Sequence, residues 1–262
     1  MKLAAQDLSL PVWQPDSLRG RSALTYLRSL RPDCGVVVAY GEILPRTVLD
    51  LAPKGFLNVH ASLLPKYRGA SPISAAILAG EVQTGVTIML LDPGMDTGPI
   101  LAQESLAIEP CDTRATLEVK LADLGASLLL RTLPEWLAER LVPRAQEHTQ
   151  ATYTRAIDRE DGLIDWRSSA ADIERLTRAM HPWPGAYCYW EGKLIKVLRV
   201  QVIEAASLAL PGTVLRLKEG VAVATGQGLL RLVAIQPEGH GPMSADDFVR
   251  GRPQFVGSSL QP

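Results

Sequence analysis

Apolar positions follow two rhythms along this chain, one helical and one extended, and they alternate over its first half. Asp16 to Leu30 sets Leu18, Leu24, Leu27 and Leu30 on related faces of a helix, and Cys34 to Ala39 follows as an unbroken apolar run suited to a buried parallel strand. Gly55-Phe56-Leu57 opens another strand that runs on through Asn58-Val59-His60. Pro72 signals a short helix over Ser71 to Ala79, Val86 to Leu91 predicts a strand, and Ile100 to Ile108 reads as extended. Thr113 to Arg140 predicts a long amphipathic helix whose Leu117, Leu121, Leu124, Leu128 and Leu129 pack on a sheet. Strand and helix in turn imply an α/β sheet.

The rhythm changes after Leu141. Periodicity disappears to Asp158, where Pro143, His148, Thr149 and Gln150 read as a linker with an exposed histidine. One helix, Ala170 to Met180, then precedes short strands at Ala186 to Trp190, Leu194 to Ile203, Gly212 to Leu217, Val221 to Thr225 and Leu229 to Ile235. Turns at Glu191-Gly192 and Gly226-Gln227-Gly228 separate them, the pattern of a small barrel. His181-Pro182-Trp183-Pro184 is expected as a packing turn between domains, because prolines fix the backbone there. The organisation is therefore an α/β domain over 1–140, a linker over 141–158 and a β-rich domain over 159–262.

Candidate chemistry concentrates between Gly55 and Gly98. Asn58 and His60 are two apart on one strand and project from the same face, and a turn containing Pro65, Gly69 and Pro72 follows them at once. An open α/β sheet places its ligands at that end of a strand. An amide beside an imidazole can donate to an oxygen that becomes negative while the ring moves a proton, which is carbonyl chemistry. Ser62 lies nearby but outside any Gly-x-Ser-x-Gly elbow, so no protein nucleophile is evident. Asp96 lies in the loop Asp92-Pro93-Gly94-Met95-Asp96-Thr97-Gly98-Pro99, which can fold back over a neighbouring strand end, and a carboxylate that meets His60 there would fix the ring's tautomer. Taken singly, each has a commoner structural use, Asn-x-His as a hydrogen-bonded turn and Asp before Thr-Gly as a cap.

Composition narrows the class without naming a substrate. The 262 residues are 47% hydrophobic and 21% charged, ordinary values for one large or two modest domains. Cys34, Cys111 and Cys188 are far apart with no Cys-x-x-Cys spacing, which predicts reduced thiols and no zinc site. No apolar run reaches membrane-spanning length and no signal peptide is evident, so a cytoplasmic location is expected. The formal net charge is −1. Lys193, Lys196, Arg199, Arg216 and Lys218 are read as a solvated sheet face in preference to a nucleic-acid patch, so charge does not identify a partner.

The ordered series of segments resembles the formyltransferases that use 10-formyltetrahydrofolate, and within them the branch acting on methionyl-tRNA. It comprises Val36-Val37-Val38-Ala39-Tyr40-Gly41, Ile43-Leu44-Pro45, Asn58-Val59-His60-Ala61-Ser62-Leu63-Leu64-Pro65, Arg68-Gly69-Ala70-Ser71-Pro72-Ile73, Thr84-Gly85-Val86-Thr87-Ile88-Met89 and Gly94-Met95-Asp96-Thr97-Gly98. Asp165-Trp166 and His181-Pro182-Trp183-Pro184 extend it, so it covers essentially the whole chain. The resemblance implies a doubly wound, Rossmann-like formyltransferase domain, incomplete here, followed by a small OB-like β-barrel that helps hold tRNA. It implies that Asn58 holds the formyl oxygen, that His60 stabilises the tetrahedral intermediate and shuttles a proton, and that Asp96 orients His60 and helps deprotonate the amine. Ser62, Leu63, Leu64 and Pro65 would line the folate site. The substrates would be 10-formyltetrahydrofolate and initiator methionyl-tRNA, with no metal, no membrane partner and a monomeric protein.

One departure from the family stands at the start. The resemblance predicts a first strand with a Gly-Thr-Pro turn, a helix, a second strand and a basic loop that meets the tRNA acceptor end, before the segment at Leu10-Pro11-Val12-Trp13-Gln14-Pro15. A chain without them would leave neighbouring strands short of ladder partners and is expected to keep the catalytic residues but not full activity. Two other classes stay open at this point, a sugar-nucleotide N-formyltransferase and a noncatalytic folate- or RNA-binding relic.

Overall fold

The computed structural model describes residues 1–262. The first sheet contains β1 (Gly35–Val38), β2 (Phe56–His60), β4 (Gln83–Leu90) and β5 (Ile100–Ala107) in the order β1-β2-β4-β5. A two-residue strand, β3 (Arg68–Gly69), pairs instead with β6 (Tyr153–Thr154). Helices α1 (Lys2–Asp7), α2 (Arg21–Ser29), α3 (Arg46–Leu49), α4 (Pro72–Leu78) and α5 (Arg114–Leu137) accompany them. Only β1 and β2 run parallel, while β2-β4 and β4-β5 are antiparallel. The sheet is thus mixed, and its one parallel pair contains the strand predicted over Cys34 to Ala39. The connection from β2 to β4 carries the short helix α4 and the chain returns beside β2 in the opposite direction.

Long helix α5 covers one face of this sheet. Its Leu117, Leu121 and Leu128 are buried against Leu57, Val86 and Ile88 of β2 and β4. Gly125 lets the helix approach closely, since a Cβ there would meet Val59 Cγ1 at 2.8 Å. Thr113 starts the helix with a reciprocal cap, Thr116 N donating to Thr113 Oγ1 and Thr113 N to Thr116 Oγ1. Because side chains alternate along β2, putting Leu57 and Val59 under α5 turns Asn58 and His60 to the other face. Thr87 stands directly across from His60 and Met89 across from Asn58.

The run Cys34 to Ala39 differs from its expected burial. Strand β1 has a neighbour on one side only, and Val36 and Val38 remain 43% and 44% exposed. An unbroken apolar run reports hydrophobicity, not the number of neighbours, and here one edge and part of one face are open.

The second sheet is built from β7 (Ala186–Trp190), β8 (Lys193–Ile203), β9 (Val214–Leu217), β10 (Gly220–Ala224), β11 (Leu229–Pro237) and β12 (Met243–Ser244). Its path is β7-β8-β11-β10-β9, with β12 on β11. These strands do not close into the expected barrel, because β7 and β9 never pair. The C-terminal tail lies between those two edges instead. Tyr189 and Gln261 exchange backbone hydrogen bonds at one side, and Val214 N donates to Ser258 O at the other. Helices α6 (Ala170–Ala179) and α7 (Ala245–Gly251) pack on this sheet around a core of twenty buried residues that includes Trp166, Trp190, Phe248 and Phe255.

Helix α6 also joins the two sheets. Its Ala170 and Ile173 belong to the C-terminal core, whereas Ala179 and the following Met180 are buried in the core beneath α5. Ser74 of α4 donates to Ala179 O at 2.9 Å. The packing expected of His181 and Trp183 is done by these residues, and Trp183 is 54% exposed.

Candidate functional site

Side-chain alternation on β2 and a loop bent back over it bring three groups together. Asn58 Nδ2 donates to Asp96 Oδ1 at 3.3 Å, and His60 Nδ1 lies 3.6 Å from Asp96 Oδ2. The same Oδ2 accepts from Gly69 N at 2.8 Å. His60 and Asp96 are largely enclosed, with side chains 7% and 14% exposed. The convergence expected of Asn58, His60 and Asp96 is present in the geometry.

The tautomer of His60 follows from its second contact. His60 Nε2 is 2.9 Å from Tyr67 O, a carbonyl that can only accept, so Nε2 carries the hydrogen. That leaves Nδ1 as the nitrogen that can take up or release a proton beside the Asp96 carboxylate. Asn58 uses one N–H on Asp96, and its second N–H is free to donate to a substrate oxygen.

Tyr67 is held so that its carbonyl can do this. It sits at φ 59°, its N–H donates to Thr152 Oγ1 at 2.8 Å, and its hydroxyl donates to Glu81 Oε1 at 2.7 Å. Burial, reinforced by the Glu81 carboxylate, pushes the Tyr67 phenol up to about 12. Glu81, held by the Tyr67 hydroxyl and by Lys66 Nζ, lies below the usual carboxylate range.

Asp96 has φ 52° in a loop whose glycines are required by close approach. A Cβ on Gly98 would stand 1.9 Å from Leu90 O, and one on Gly94 would stand 2.0 Å from Thr97 Oγ1. Asp92 Oδ1 ties the turn by accepting from Gly94 N and Thr97 Oγ1.

The turn Ser62 to Pro65 adjoins the end of β2, but much of it is committed internally. Ser62 and Leu64 are buried, Ser62 Oγ donates to Lys66 O, and Leu64 packs with Met89 and Ile100. Thr87 Oγ1 donates to Ser62 O and accepts from Leu64 N, while Gln103 Nε2 donates to Leu64 O. Leu63 and Pro65 are the partly exposed members.

Sequence reasoning missed Tyr67, Gly69, Thr87, Gln103 and Gln146. Thr87 was findable from register once β2 and β4 were paired, but the Tyr67 carbonyl and the Gly69 amide are backbone groups that carry no side-chain signature. Gln146 comes from the segment Leu141 to Asp158, which runs along these loops and donates Nε2 to Asp96 O and Gly98 O.

No cluster of three His, Cys, Asp or Glu side chains is placed to hold a metal ion. No helix is long and apolar enough to cross a membrane. A crevice of about 210 Å³ where α4, α6 and the end of β5 meet, beside Glu81, Glu174 and Arg178, touches none of the three converging side chains.

Residues 2–133 match the formyl transferase family and residues 156–253 match the formyl transferase C-terminal domain. Methionyl-tRNA formyltransferase of Roseiflexus sp. strain RS-1 is 47% identical over 252 residues, which are 96% of this chain and 78% of that protein. Among solved structures, HypX from Aquifex aeolicus in complex with tetrahydrofolic acid superposes with a TM-score of 0.64 at 19% identity, covering 88% of this chain and 40% of HypX. The N-formyltransferase from Helicobacter canadensis, in complex with folinic acid and dTDP-3-aminofucose, gives 0.59 at 20% identity over 74% of this chain and 71% of its own. At such identities the two structures speak for the fold.

Proposed function

The chain belongs to the formyltransferase family, and we propose that it transfers the formyl group of 10-formyltetrahydrofolate to the α-amino group of methionine on initiator methionyl-tRNA. The observation that carries this reading is the meeting of Asn58, His60 and Asp96 at the end of β2, in a chain 47% identical to a methionyl-tRNA formyltransferase.

The chemistry needs a neutral amine, an oxyanion partner and a path for one proton. The amine nitrogen attacks the formyl carbon, and Asn58 donates its free N–H to the oxygen as it becomes negative. The amine proton passes to the His60 Nδ1 and Asp96 pair and on to the folate nitrogen. The bond from that nitrogen to the formyl carbon then breaks and the carbonyl re-forms. His60 keeps Nε2–H on Tyr67 O throughout, so the ring stays oriented while Nδ1 changes protonation. Leu63, Pro65 and the backbone of Ser62 to Pro65 form the folate-side wall in this reading. Residues 1–140 supply the chemistry, 141–158 connect, and 159–262 help hold the tRNA, in a cytoplasmic monomer.

The test offers the purified chain formyl-labelled 10-formyltetrahydrofolate with methionyl-tRNA or with an amino-sugar nucleotide. Label in methionyl-tRNA is the expected result. Label only in the sugar nucleotide, or in neither acceptor, overturns the proposal.

A further inference from the structure

We propose that Gln146, oriented by the buried guanidinium of Arg68, is a positioning residue that sets the Asp96 carboxylate for transfer; this rests on the reading above.

Arg68 is fully buried and takes part in no ion pair. A buried charge without a counterion is costly, and its partners here are all neutral acceptors. Nε and Nη2 donate to Gln146 Oε1 at 3.1 and 2.7 Å, Nη1 donates to the Tyr153 hydroxyl at 3.0 Å, and Nη2 is 3.2 Å from His148 Nδ1. A guanidinium only donates, so the oxygen of Gln146 must face it. The amide's NH2 is thereby aimed the other way, onto Asp96 O at 2.9 Å and Gly98 O at 2.7 Å. Both of those groups only accept, so the orientation of Gln146 is fixed by chemistry at each end.

The contact falls on the part of the loop that most needs support. Asp96 holds φ 52°, a backbone state that non-glycine residues disfavour, and Gln146 grips the carbonyls on either side of Thr97. Arg68 reaches the same residue by a second route through its main chain. Thr152 O accepts from Arg68 N, Thr154 Oγ1 donates to Arg68 O, and the next amide, Gly69 N, donates to Asp96 Oδ2. Side chain and main chain of one arginine thus clamp Asp96 by its backbone and by its carboxylate. The connecting segment between the two domains supplies Gln146, Thr152 and Thr154, so it acts as a clasp on the site.

Two substitutions separate positioning from mere filling of space. Gln146→Met keeps the volume and loses every hydrogen bond. Gln146→Glu gives Arg68 a carboxylate but turns an acceptor toward Asp96 O and Gly98 O. The expected result for both is a kcat lower by roughly 10- to 100-fold with KM for each substrate within about threefold of wild type, since small misplacements of a reacting group have effects of that size. A purely structural role predicts that Gln146→Glu is as active as wild type because it pairs the buried charge. Wild-type kcat in Gln146→Glu overturns the proposal, and this variant decides alone if Gln146→Met does not fold. A wild-type chain that formylates no acceptor would refute the functional reading instead. Amide exchange then decides the present point, with faster exchange at residues 94–98 in Gln146→Glu supporting it and unchanged exchange overturning it.

Discussion

The two sheets of this protein carry opposite kinds of surface. The six-stranded sheet encloses an aromatic core in which Trp190 meets Phe248 and Phe255 edge-on, with ring centroids 5.6 and 5.2 Å apart. The indole N–H groups of Trp166 and Trp190 are buried there without a partner. The four-stranded sheet keeps apolar residues under α5 but presents Asn58, His60 and Thr87 on its other face, where loop groups engage Asn58 Nδ2, His60 Nε2 and Thr87 Oγ1. Packing is concentrated in one half and directed polar contacts in the other. Stability and chemistry should therefore respond to different substitutions.

The largest effect expected is on folding. Trp190→Ala removes a buried ring from the aromatic cluster and should lower unfolding free energy by about 3–5 kcal/mol, read by denaturant titration, with turnover per folded molecule unchanged. A loss of turnover without a loss of stability would erase the contrast between the sheets. His60→Ala and Asn58→Ala should do the reverse, each lowering turnover by roughly 10²-fold or more, or about 2.7 kcal/mol of barrier, with the thermal midpoint held. A change confined to folate affinity would instead mark Asn58 as a binding residue.

Gly98→Ala sharpens the comparison, because the residue belongs to the site yet its constraint is steric. The added Cβ would press on Leu90 O, so the Asp96 loop must shift, at about 1–3 kcal/mol of stability. Turnover should fall in the same variant, and a stable, fully active Gly98→Ala would show that the loop tolerates displacement.

The smallest effect is at the start of α5. Burial of Asp112 opposes its charge, but hydrogen bonds from Lys120 Nζ, Glu109 N and Thr116 Oγ1 outweigh this and hold the carboxyl below its usual range. Its contribution is full above the unfolded value of about 3.9 and is lost as pH falls through the lower folded value. Asp112→Asn should cost about 1 kcal/mol at neutral pH, and the gap from wild type should close only in acid. A gap that widened on acidification would contradict the sign.

Much of this was legible in residue order. Alternation on β2 placed Asn58 and His60 on one face, and the Gly/Pro punctuation around Asp96 marked a loop able to fold back. Strands β7 to β11 fell where period-two patterning and glycine turns put them. Closure of those strands was not legible, because alternation reports faces and not whether two distant edges meet. Helix α7 was overlooked although Ser244 and Asp247 carry a capping signature, Asp247 N donating to Ser244 Oγ at 3.0 Å. Gln146 was invisible for a different reason. It lies in a segment without periodicity, and its importance comes from two backbone carbonyls fifty and forty-eight residues away in the chain.

Single-turnover transfer from 10-formyltetrahydrofolate to methionyl-tRNA by Asp96→Asn tests the central claim most directly. The substitution keeps an acceptor for Gly69 N and removes the charge facing His60 Nδ1. The account predicts a rate roughly 10²-fold below wild type in a protein of unchanged thermal midpoint. A rate within twofold of wild type would contradict it.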